Sequence, residues 1–373
     1  MNKIEQYNYN RIVIIGNGYD RALGMATSYQ DFLLDYIKEC IKSAMHTPYL
    51  EDPVISIGRI QYRNNAEMWN HIESMTEIKS LLEYCENRIN ISFKSEFFSL
   101  MLEKLEQGNW VDLESLYFNL LINKVEGIKK TNFLFRDYSE IIKLNSVFTS
   151  LKLALERYIC KIDTSFNVDF PKSSLISLHS KFKDKLYNSK AYISHQKTDE
   201  EIGNPQKILF VNFNYTNSLK KIIYSTANHL NSHILNIHGQ IQNEKNPIIF
   251  GYGDDTHIYY KELEIEDSPE PLKHIKSFHY PKTENYHTLL DFMSSDKFEV
   301  FIVGHSCGLS DRTLLKTIFE HKYCVAVKIF HKGTIEDHFL KNIAISRHFE
   351  NKSELRRKIL PYDEFAFIPQ DLS

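Results

Sequence analysis

The sequence of 373 residues contains no long hydrophobic run. Its apolar stretches all fall short of the roughly 20 residues that a membrane-spanning helix needs, so no such helix is predicted. Residues 1–10 are polar and include no apolar segment of the kind found in secretory signals. These two absences predict a cytoplasmic protein without a membrane partner.

Cysteine is scarce, with five residues and no CxxC pair among them. The odd number and the spacing predict reduced thiols rather than a disulfide framework or a four-cysteine zinc site. The HExxH and GxxxxGK[ST] patterns are also missing, so no metal and no phosphate loop of that type is expected. The cysteines are Cys40, Cys85, Cys160, Cys307 and Cys324.

The chain also has no surplus of positive charge, because Lys plus Arg is 45 and Asp plus Glu is 48, a net charge of −3. Affinity for nucleic acid rests largely on such a surplus, so nucleic acid is not the expected partner. The hydrophobic fraction of 42% and the charged fraction of 25% are typical of a globular protein. A chain of this length predicts about two domains.

Short apolar runs are the clearest structural signal that is present. Ile12–Ile15 is β-branched and shows no alternation, which is typical of a strand buried on both faces of a parallel sheet. Similar runs, each followed by polar or glycine residues, are Ile208–Val211, Ile234–Ile237, Ile248–Phe250, Val300–Val303 and Val325–Phe330. We predict an α/β fold with a Rossmann-like, mostly parallel sheet that binds ligands beyond the carboxyl ends of its strands.

Helical spacing of apolar residues dominates from about Tyr29 to Lys190, where few β-rich runs occur. Stripes at intervals of three and four residues predict helices that pack into a core. They run from Phe97 to Leu105, from Trp110 to Leu120 and from Ile141 to Tyr158. The polar stretch Ser189–Pro205 is predicted to return the chain to the sheet. We therefore predict a discontinuous Rossmann-like domain of residues 1–28 plus 200–373, and a large helical insertion of residues 29–199.

The first predicted strand ends in Gly16-Asn17-Gly18-Tyr19-Asp20, a glycine turn. Glycines let the chain turn sharply and lie against a diphosphate, which the N–H groups of a following helix can bind. The dinucleotide fingerprint needs a third glycine at position 21, where this sequence has Arg21. Taken alone, the turn supports a nucleotide loop and an ordinary tight turn equally.

Two later strands end in side chains that suit contact with a ribose. Asn212 and Asn214 flank Phe213, and an amide both donates and accepts, so it can hold a ribose hydroxyl or a water. An Asx-turn or a helix N-cap is the structural alternative for either asparagine. His238, followed by Gly239, has the chemistry of a general base near neutral pH, with a purely structural histidine as the alternative.

Gly304–Gly308 follows another predicted strand and contains the G-x-S-x-G pattern of a nucleophile elbow. A hydrolase would need an acid and a histidine further along the chain. The candidates are Asp311, Asp337, His338 and His348. Only about one more strand follows Ser306, which is too little chain for the rest of that sheet, so a serine hydrolase is a minor alternative. A nuclease that uses the Asp residues is a further alternative.

The segments GNGYD, NFNYT, IHG and GHSCGLSD, in this order, resemble the motifs of the AbiH family of bacterial abortive-infection proteins. The same order is similar to the sirtuin-like NAD-binding fold, with its glycine loop, asparagine segment, His-Gly pair and second glycine loop. The resemblance covers Arg11–Thr27 and about Ile208–Asp311, and it leaves out the helical middle. It implies an antiphage protein with a sirtuin-like core and NAD as its small-molecule ligand.

The resemblance also implies roles for individual residues. Asn214 would orient the ribose and a water, and His238 would act as the base, so these two are the implied catalytic residues. Cofactor contacts are implied for Gly16, Asn17, Gly18, Asp20, Tyr29, Asn212, Gly304, His305, Ser306 and Asp311. Protein deacetylases of this fold carry a zinc module with two CxxC pairs, which this sequence lacks, so an acyl-lysine channel is not expected.

We therefore expect an NAD+ glycohydrolase that cleaves the nicotinamide–ribose bond with an Asn/His pair, NAD being its substrate. Such an enzyme must be held inactive in an uninfected cell, by the helical insertion, by a homo-oligomer or by the need for a phage-derived trigger. A module that senses NAD or ADP-ribose without cleaving it is the principal alternative.

Overall fold

A computed structural model of the chain describes residues 9–47, 49–60, 65–106, 112–130, 136–167, 172–185, 203–225 and 232–370. The strands form a five-stranded sheet at the centre and a separate three-stranded sheet. In chain order they are β1 (Asn10–Ile15), β2 (Leu50–Glu51), β3 (Ile55–Ile57), β4 (Ile91–Phe93), β5 (Ile208–Asn212), β6 (Ser232–Asn236), β7 (Phe298–Val303) and β8 (Cys324–Phe330).

The central sheet is parallel throughout and confirms the predicted α/β class with a mostly parallel sheet. Every residue of β1, β5 and β7 is buried. Ile12 and Ile14 pack into the core on one side of the sheet, whereas Val13 and Ile15 pack into the core on the other. Because both faces are covered, the strand needs apolar residues at every position, and this explains the run without alternation.

The strand order is β6-β5-β1-β7-β8, so the direction of the connections reverses at β1. β1 lies between β5 and β7, and Ile15 at its carboxyl end is level with Asn212 and Val303. In open sheets of this kind, ligands bind in the crevice that forms where the strand order reverses. Here the order reverses between β1 and β7, so a ligand is expected beside the loops that follow these two strands.

Helices surround the central sheet and fill most of the chain between β1 and β5. They are α1 (Asn17–Ala22), α2 (Tyr29–Ala44), α3 (Asn65–Ser74), α4 (Ile78–Cys85), α5 (Glu96–Glu106), α6 (Leu113–Lys129), α7 (Ser139–Ser165), α8 (Ser173–Lys181), α9 (Ser218–Ser225), α10 (Tyr260–Glu264), α11 (Asn285–Ser295), α12 (Arg312–Phe319), α13 (Ile335–Ser346) and α14 (Lys352–Lys358). Short 3₁₀ helices cover Glu270–Leu272, Lys276–Phe278, Tyr280–Lys282 and Leu309–Asp311.

The three apolar stripes of the helical middle are helices, as predicted, and correspond to α5, α6 and α7. Trp110, at the start of the second stripe, and most of the stretch Ser189–Pro205 lie outside the described residues. We call the part of the chain from α2 to α8, residues 29–181, the helical region. It also contains the antiparallel sheet β2-β3-β4, which the sequence did not predict because its strands have only two or three residues.

The strand predicted at Ile248–Phe250 is wrong, because this segment has no strand structure. Ile248 and Phe250 are buried instead in the core of the helical region, where Phe250 stacks on Phe148 with ring centroids 4.6 Å apart. An apolar run of three residues indicates burial but cannot by itself distinguish a strand from an irregular buried segment. The helical region thus shares its core with a segment that follows the sheet strand β6.

No helix within the described ranges is both long enough and apolar enough to cross a membrane. The boundaries proposed above for the two domains stay a prediction.

Candidate functional site

The loops that follow β1 and β7 pack directly against each other. The N–H of Gly18 donates to the carbonyl of Gly304 at 2.8 Å, and the N–H of Gly16 donates to the carbonyl of Val303 at 3.0 Å. A Cβ on Gly304, whose φ is +71°, would lie 2.3 Å from the Tyr19 nitrogen. These glycines are therefore required for the close approach of two backbones, and the N–H groups of Gly16 and Gly18 are bonded within the protein.

Asp20 lies on α1 and connects this loop to the turn after β5. Its carboxylate accepts hydrogen bonds from the hydroxyls of Thr216 at 2.7 Å and Ser218 at 2.5 Å. Burial raises the pKa of Asp20 to about 6, although the two hydroxyl bonds act in the opposite direction. Asp20 thereby fixes the relative position of two of the four sequence motifs.

The segment between α1 and α2 is held from two sides. The Asn17 amide donates to the carbonyl of Thr27 at 2.9 Å, and the Thr27 hydroxyl donates back to Asn17 Oδ1. From the helical region, the hydroxyl of Tyr158 donates to the carbonyl of Ala26 at 2.6 Å. Tyr29 follows at the first position of α2. This segment is therefore fixed by both the loop after β1 and a helix of the helical region.

The two asparagines after β5 have different surroundings. Asn212 Nδ2 donates to Asn236 Oδ1 at 2.9 Å, and Asn212 Oδ1 accepts the N–H of Asn214 at 3.2 Å, which is an Asx-turn contact. Asn214 Nδ2 reaches across to the carbonyl of Gly16 at 3.2 Å. Asn212 thus has the turn-forming role that was the structural alternative, whereas Asn214 joins the loops after β5 and β1.

His238 follows β6 and is almost completely buried, with 3% of its surface exposed. Its ring lies against Phe213 and Tyr280. Burial and, next in size, the charge of Lys276 lower the pKa of His238 to about 3, so its imidazole is uncharged at neutral pH. Its Nε2 has no hydrogen-bond partner among the described residues and lies 3.4 Å from Asp311 Oδ1. This nitrogen is a buried polar atom that a ligand can satisfy.

Asp311, at the end of the GHSCGLSD segment, lies between two histidines and a lysine. Its Oδ2 is 3.4 Å from His305 Nε2, its Oδ1 is 3.4 Å from His238 Nε2, and Oδ1 accepts a hydrogen bond of 2.6 Å from Lys276 Nζ. Burial alone would raise the pKa of Asp311, but the charge of Lys276, with a smaller effect of the His305 side chain, holds this pKa well below its ordinary value. Asp311 is therefore an ionised carboxylate beside His238.

Lys276 extends this arrangement to the helical region. Its Nζ lies 2.9 Å from Glu114 Oε2 on α6, and only 1% of its side chain is exposed. Glu114 Oε1 accepts the N–H of Gly251 at 3.0 Å. Burial raises the pKa of Glu114 to about 7, against the effect of Lys276. We call Glu114, Lys276 and Asp311 the ion chain, since it links α6 to the loop after β7 through buried charges.

These groups surround one cavity of about 380 Å³, within the size range of about 300–1,000 Å³ for small-molecule sites. Asn214 and His238, which come from the ends of two different strands, both line it. The other residues selected from the sequence that line it are Gly16, Asn17, Gly18, Asp20, Tyr29, Gly304, His305, Ser306 and Asp311. Asn212 is the selected residue that does not.

The cavity also has lining residues that the sequence did not single out. The helical region supplies Asp112 and Glu114 near the start of α6, and Leu155 and Ile159 from α7. Other contributors are Tyr215, Lys276, Arg21, Lys332 and Lys341, together with Asp337, which the sequence offered only as an acid for a serine hydrolase. For Glu114 the only local signal was its place just after the N-cap residue Asp112, where acidic residues commonly stabilise a helix.

The geometry around Ser306 does not supply the contacts of a serine hydrolase. Within the described residues, no hydrogen bond joins its hydroxyl to a histidine, a contact that the nucleophile of such enzymes makes. His305 Nδ1 accepts the N–H of Cys307 at 3.0 Å, and His348 Nε2 donates to the carbonyl of Cys307 at 2.9 Å. Both histidines are therefore engaged with the backbone of this loop.

The residues that the structure describes contain no group of three or more His, Cys, Asp or Glu side chains arranged to hold a metal ion.

Comparison with known proteins gives one family. The model of the family described as bacteriophage abortive infection AbiH matches residues 12–332, which is more than half of the chain. The matched range includes the four strand-end motifs, the helical region and the ion chain. No curated protein matches the sequence.

Proposed function

The chain belongs to the AbiH family of bacteriophage abortive-infection proteins, and we propose that it acts in this defence by hydrolysing NAD+ at the nicotinamide–ribose bond. One observation carries the proposal. Asn214 and an uncharged His238, whose Nε2 has no hydrogen-bond partner among the described residues, line the same cavity at the carboxyl edge of the sheet.

The reaction requires one bond to break and one to form. The bond between ribose C1′ and the nicotinamide nitrogen breaks, and its electron pair leaves with nicotinamide, which becomes neutral. The ribose is left with oxocarbenium character, and a water oxygen bonds to C1′. The water then loses a proton, so the products are nicotinamide, ADP-ribose and H+. A base that accepts this proton typically contributes roughly 10²–10⁴-fold to the rate.

His238 supplies that base. Its pKa of about 3 leaves His238 uncharged at neutral pH, but it also makes the imidazole a weak base, which needs a neighbouring negative charge to hold the proton. The ionised Asp311, 3.4 Å from its Nε2, stabilises the imidazolium that forms. Lys276 holds Asp311 in place at 2.6 Å and is therefore a positioning residue. Asn214 is fixed by its bond to the Gly16 carbonyl, and this preorganises its amide to orient the ribose or the water.

The topology of the sheet supports a sirtuin-like, Rossmann-like cofactor site. The strand order reverses at β1, and the cavity lies beside the loops after β1 and β7. This is the position at which dinucleotides bind in doubly wound folds. The motifs with the sirtuin-like order all contribute residues to this cavity.

The test is to follow NAD+ in infected cells that carry the protein. We expect the wild-type protein to deplete NAD+ after infection, and the His238→Ala and Asn214→Ala variants to leave NAD+ at the level of cells without the protein. His287→Ala on α11, an exposed histidine outside the cavity, is the matched control and should behave as the wild type. Depletion at the wild-type rate by both cavity variants would reject the proposal.

A second candidate is favoured by the ion chain, which connects the cavity to the helical region through buried charges. In this case the cavity senses NAD or ADP-ribose without cleaving it, and α6 passes the occupied state to a partner. Calorimetry that detects binding of ADP-ribose and of NAD+, together with intact NAD+ after incubation in infected-cell extract, would favour the sensor over the hydrolase.

A further inference from the structure

A phosphate group in this cavity cannot be bound through the two glycine amides that the sequence suggested. The N–H of Gly16 is bonded to the Val303 carbonyl and that of Gly18 to the Gly304 carbonyl. The negative charge of a diphosphate must therefore be met by other groups that line the cavity.

Besides Lys276, three cationic side chains line the cavity and are suited to this task. Arg21 comes from α1, Lys332 follows β8 and Lys341 lies on α13. None of the three forms a salt bridge with another described residue. Their charges are thus uncompensated by direct ion pairs, in contrast to Lys276, which contacts two carboxylates.

Lys341 is held beside the loop after β7. Its Nζ donates to the carbonyl of His305 at 2.9 Å. Burial lowers the pKa of Lys341, against the smaller effects of Cys307 and Asp337, and the charge of Lys332 adds the smallest contribution to the lowering. Lys332 and Lys341 lie on the same side of the cavity, because Asp337 accepts the N–H of Lys332 at 2.9 Å and precedes Lys341 by one turn of α13. An anion between the two lysines would be attracted by both charges.

Asp337 is the carboxylate on the same side of the cavity. It lies in the first turn of α13, and its Oδ2 accepts the backbone N–H of Lys332 at 2.9 Å. It therefore positions the turn that carries Lys332, while its own charge opposes the entry of an anion. This dual role allows a test in which two neighbouring substitutions have opposite effects.

We propose that Arg21, Lys332 and Lys341 form a seat for the diphosphate of a nucleotide, so that charged side chains take the place of a glycine-loop phosphate cradle. This inference deepens the proposed function: it requires that the cavity binds a nucleotide, but it does not require that NAD+ is cleaved. The ligand class is a nucleoside diphosphate or a molecule that contains one, such as ADP, ADP-ribose or NAD+.

The first experiment compares adenosine, AMP and ADP by calorimetry with the full chain. We expect affinity to rise with each phosphate and the affinity for ADP to fall as salt is added. Lys341→Met and Lys332→Met should each weaken ADP binding roughly ten-fold, since each removes a charge-assisted contact, and should leave adenosine binding unchanged. Lys104→Met, an exposed lysine of α5 outside the cavity, is the control and should bind ADP as the wild type does.

The second experiment uses Asp337→Asn, which keeps an oxygen acceptor for the Lys332 N–H but removes the negative charge. We expect this variant to bind ADP several-fold more tightly than the wild type. If a substitution only damaged this end of the cavity, ADP binding would weaken in all the variants. Weaker binding by the lysine variants together with tighter binding by Asp337→Asn therefore shows an effect of charge. Lys332→Met is informative here because its head group makes no described hydrogen bond that the substitution would break.

The proposal is overturned if the wild-type protein fails to bind ADP and ADP-ribose at millimolar concentration. It is also overturned if the lysine variants bind ADP as the wild type does, or if they lose adenosine and ADP equally. If ADP binding follows the expected pattern but the protein never consumes NAD+, the proposed diphosphate seat is supported and the proposed NAD+ hydrolysis is rejected. The two proposals can therefore fail separately.

Discussion

The helical region and the edge of the parallel sheet meet around the same cavity but contribute to it in different ways. The sheet edge, meaning the loops after β1, β5, β6 and β7, supplies His238, Asn214 and Asp311 on turns that are fixed by contacts between backbones. The helical region supplies apolar lining from α7 and one buried carboxylate, Glu114. The groups proposed to react and the group that helps set their electrostatic environment therefore belong to different parts of the molecule.

This difference shows how the electrostatics of a site can depend on residues outside its motifs. Asp311 is kept ionised beside His238 by Lys276, and Lys276 in turn contacts Glu114 on α6. A movement of α6 would change the surroundings of Lys276 and hence those of Asp311. The ion chain is thus a physical connection between the two regions, and substitutions can break it or change each side separately.

The largest effect on stability is expected from Lys276→Met. The substitution leaves the carboxylates of Glu114 and Asp311 buried without their shared cation, and removal of one partner of a buried ion pair costs about 3–5 kcal/mol. The free energy of unfolding, measured by urea denaturation, should fall by about this amount.

The control for that measurement is the triple variant Lys276→Met, Glu114→Gln, Asp311→Asn, which removes the uncompensated charges as well. It should recover a substantial part of the lost stability. If Lys276→Met is as stable as the wild-type protein, the ion chain does not join the two regions in solution.

The next largest effect tests the sheet edge alone. Gly304→Ala places a Cβ within 2.3 Å of the Tyr19 nitrogen at a residue with φ of +71°. Overlap with backbone and a left-handed conformation together should lower the free energy of unfolding by about 3 kcal/mol. Thermal or urea unfolding of the variant measures this loss, and an unchanged transition would mean that the two loops do not pack as described.

The pH dependence of stability tests Glu114 in the helical region. Because its pKa is raised from 4.5 to about 7 in the folded protein, the folded state binds a proton that the unfolded state releases between these values. Its contribution to stability is therefore complete below about pH 4.5 and is lost as the pH rises to about 7.

Glu114→Gln removes this loss, because glutamine does not titrate. The free energy of unfolding of the variant, relative to that of the wild type, should increase by about 1–3 kcal/mol as the pH rises from about 4.5 to 7, with no further change above that range. Asp20→Asn is the matching variant at the sheet edge. Because the pKa of Asp20 in the folded protein is about 6, its contribution to stability is lost by about pH 6 rather than by about pH 7. A constant difference between wild type and Glu114→Gln over the whole range would show that Glu114 titrates normally.

The smallest effect is a gain in stability within the helical region. Gly127 lies in α6, and a Cβ added there would meet no atom within 4 Å. Gly127→Ala should raise the free energy of unfolding by about 0.5–1 kcal/mol, because alanine restricts the unfolded chain and favours the helix. Gly127→Ala and Gly304→Ala are the same substitution in the two regions, and opposite effects on stability are expected. A loss of stability in both variants would contradict the open space described around Gly127.

The sequence predicted the sheet edge better than the helical region for a physical reason. A buried parallel strand needs consecutive apolar residues and must be followed by a turn, so residues such as Gly16, Asn214 and His238 stand at positions that a local pattern can identify. The run Ile248–Phe250 shows the limit of that pattern, because burial alone does not require a strand.

Glu114 and Lys276 could not be identified in this way. They are 162 positions apart in the chain, and only the tertiary structure brings them into contact. Glu114 follows a helix N-cap, where an acidic residue is common, and Lys276 lies in a short 3₁₀ helix without periodicity. Neither local pattern indicates that the side chain is buried or which charge will neutralise it.

Release of nicotinamide by the purified protein, mixed with an extract of infected cells, tests the proposed activity of the cavity most directly. We expect the wild-type protein and His287→Ala to release nicotinamide and ADP-ribose in equal amounts, and His238→Ala to release neither while unfolding at the wild-type temperature. Equal release by His238→Ala and the wild-type protein would contradict the account.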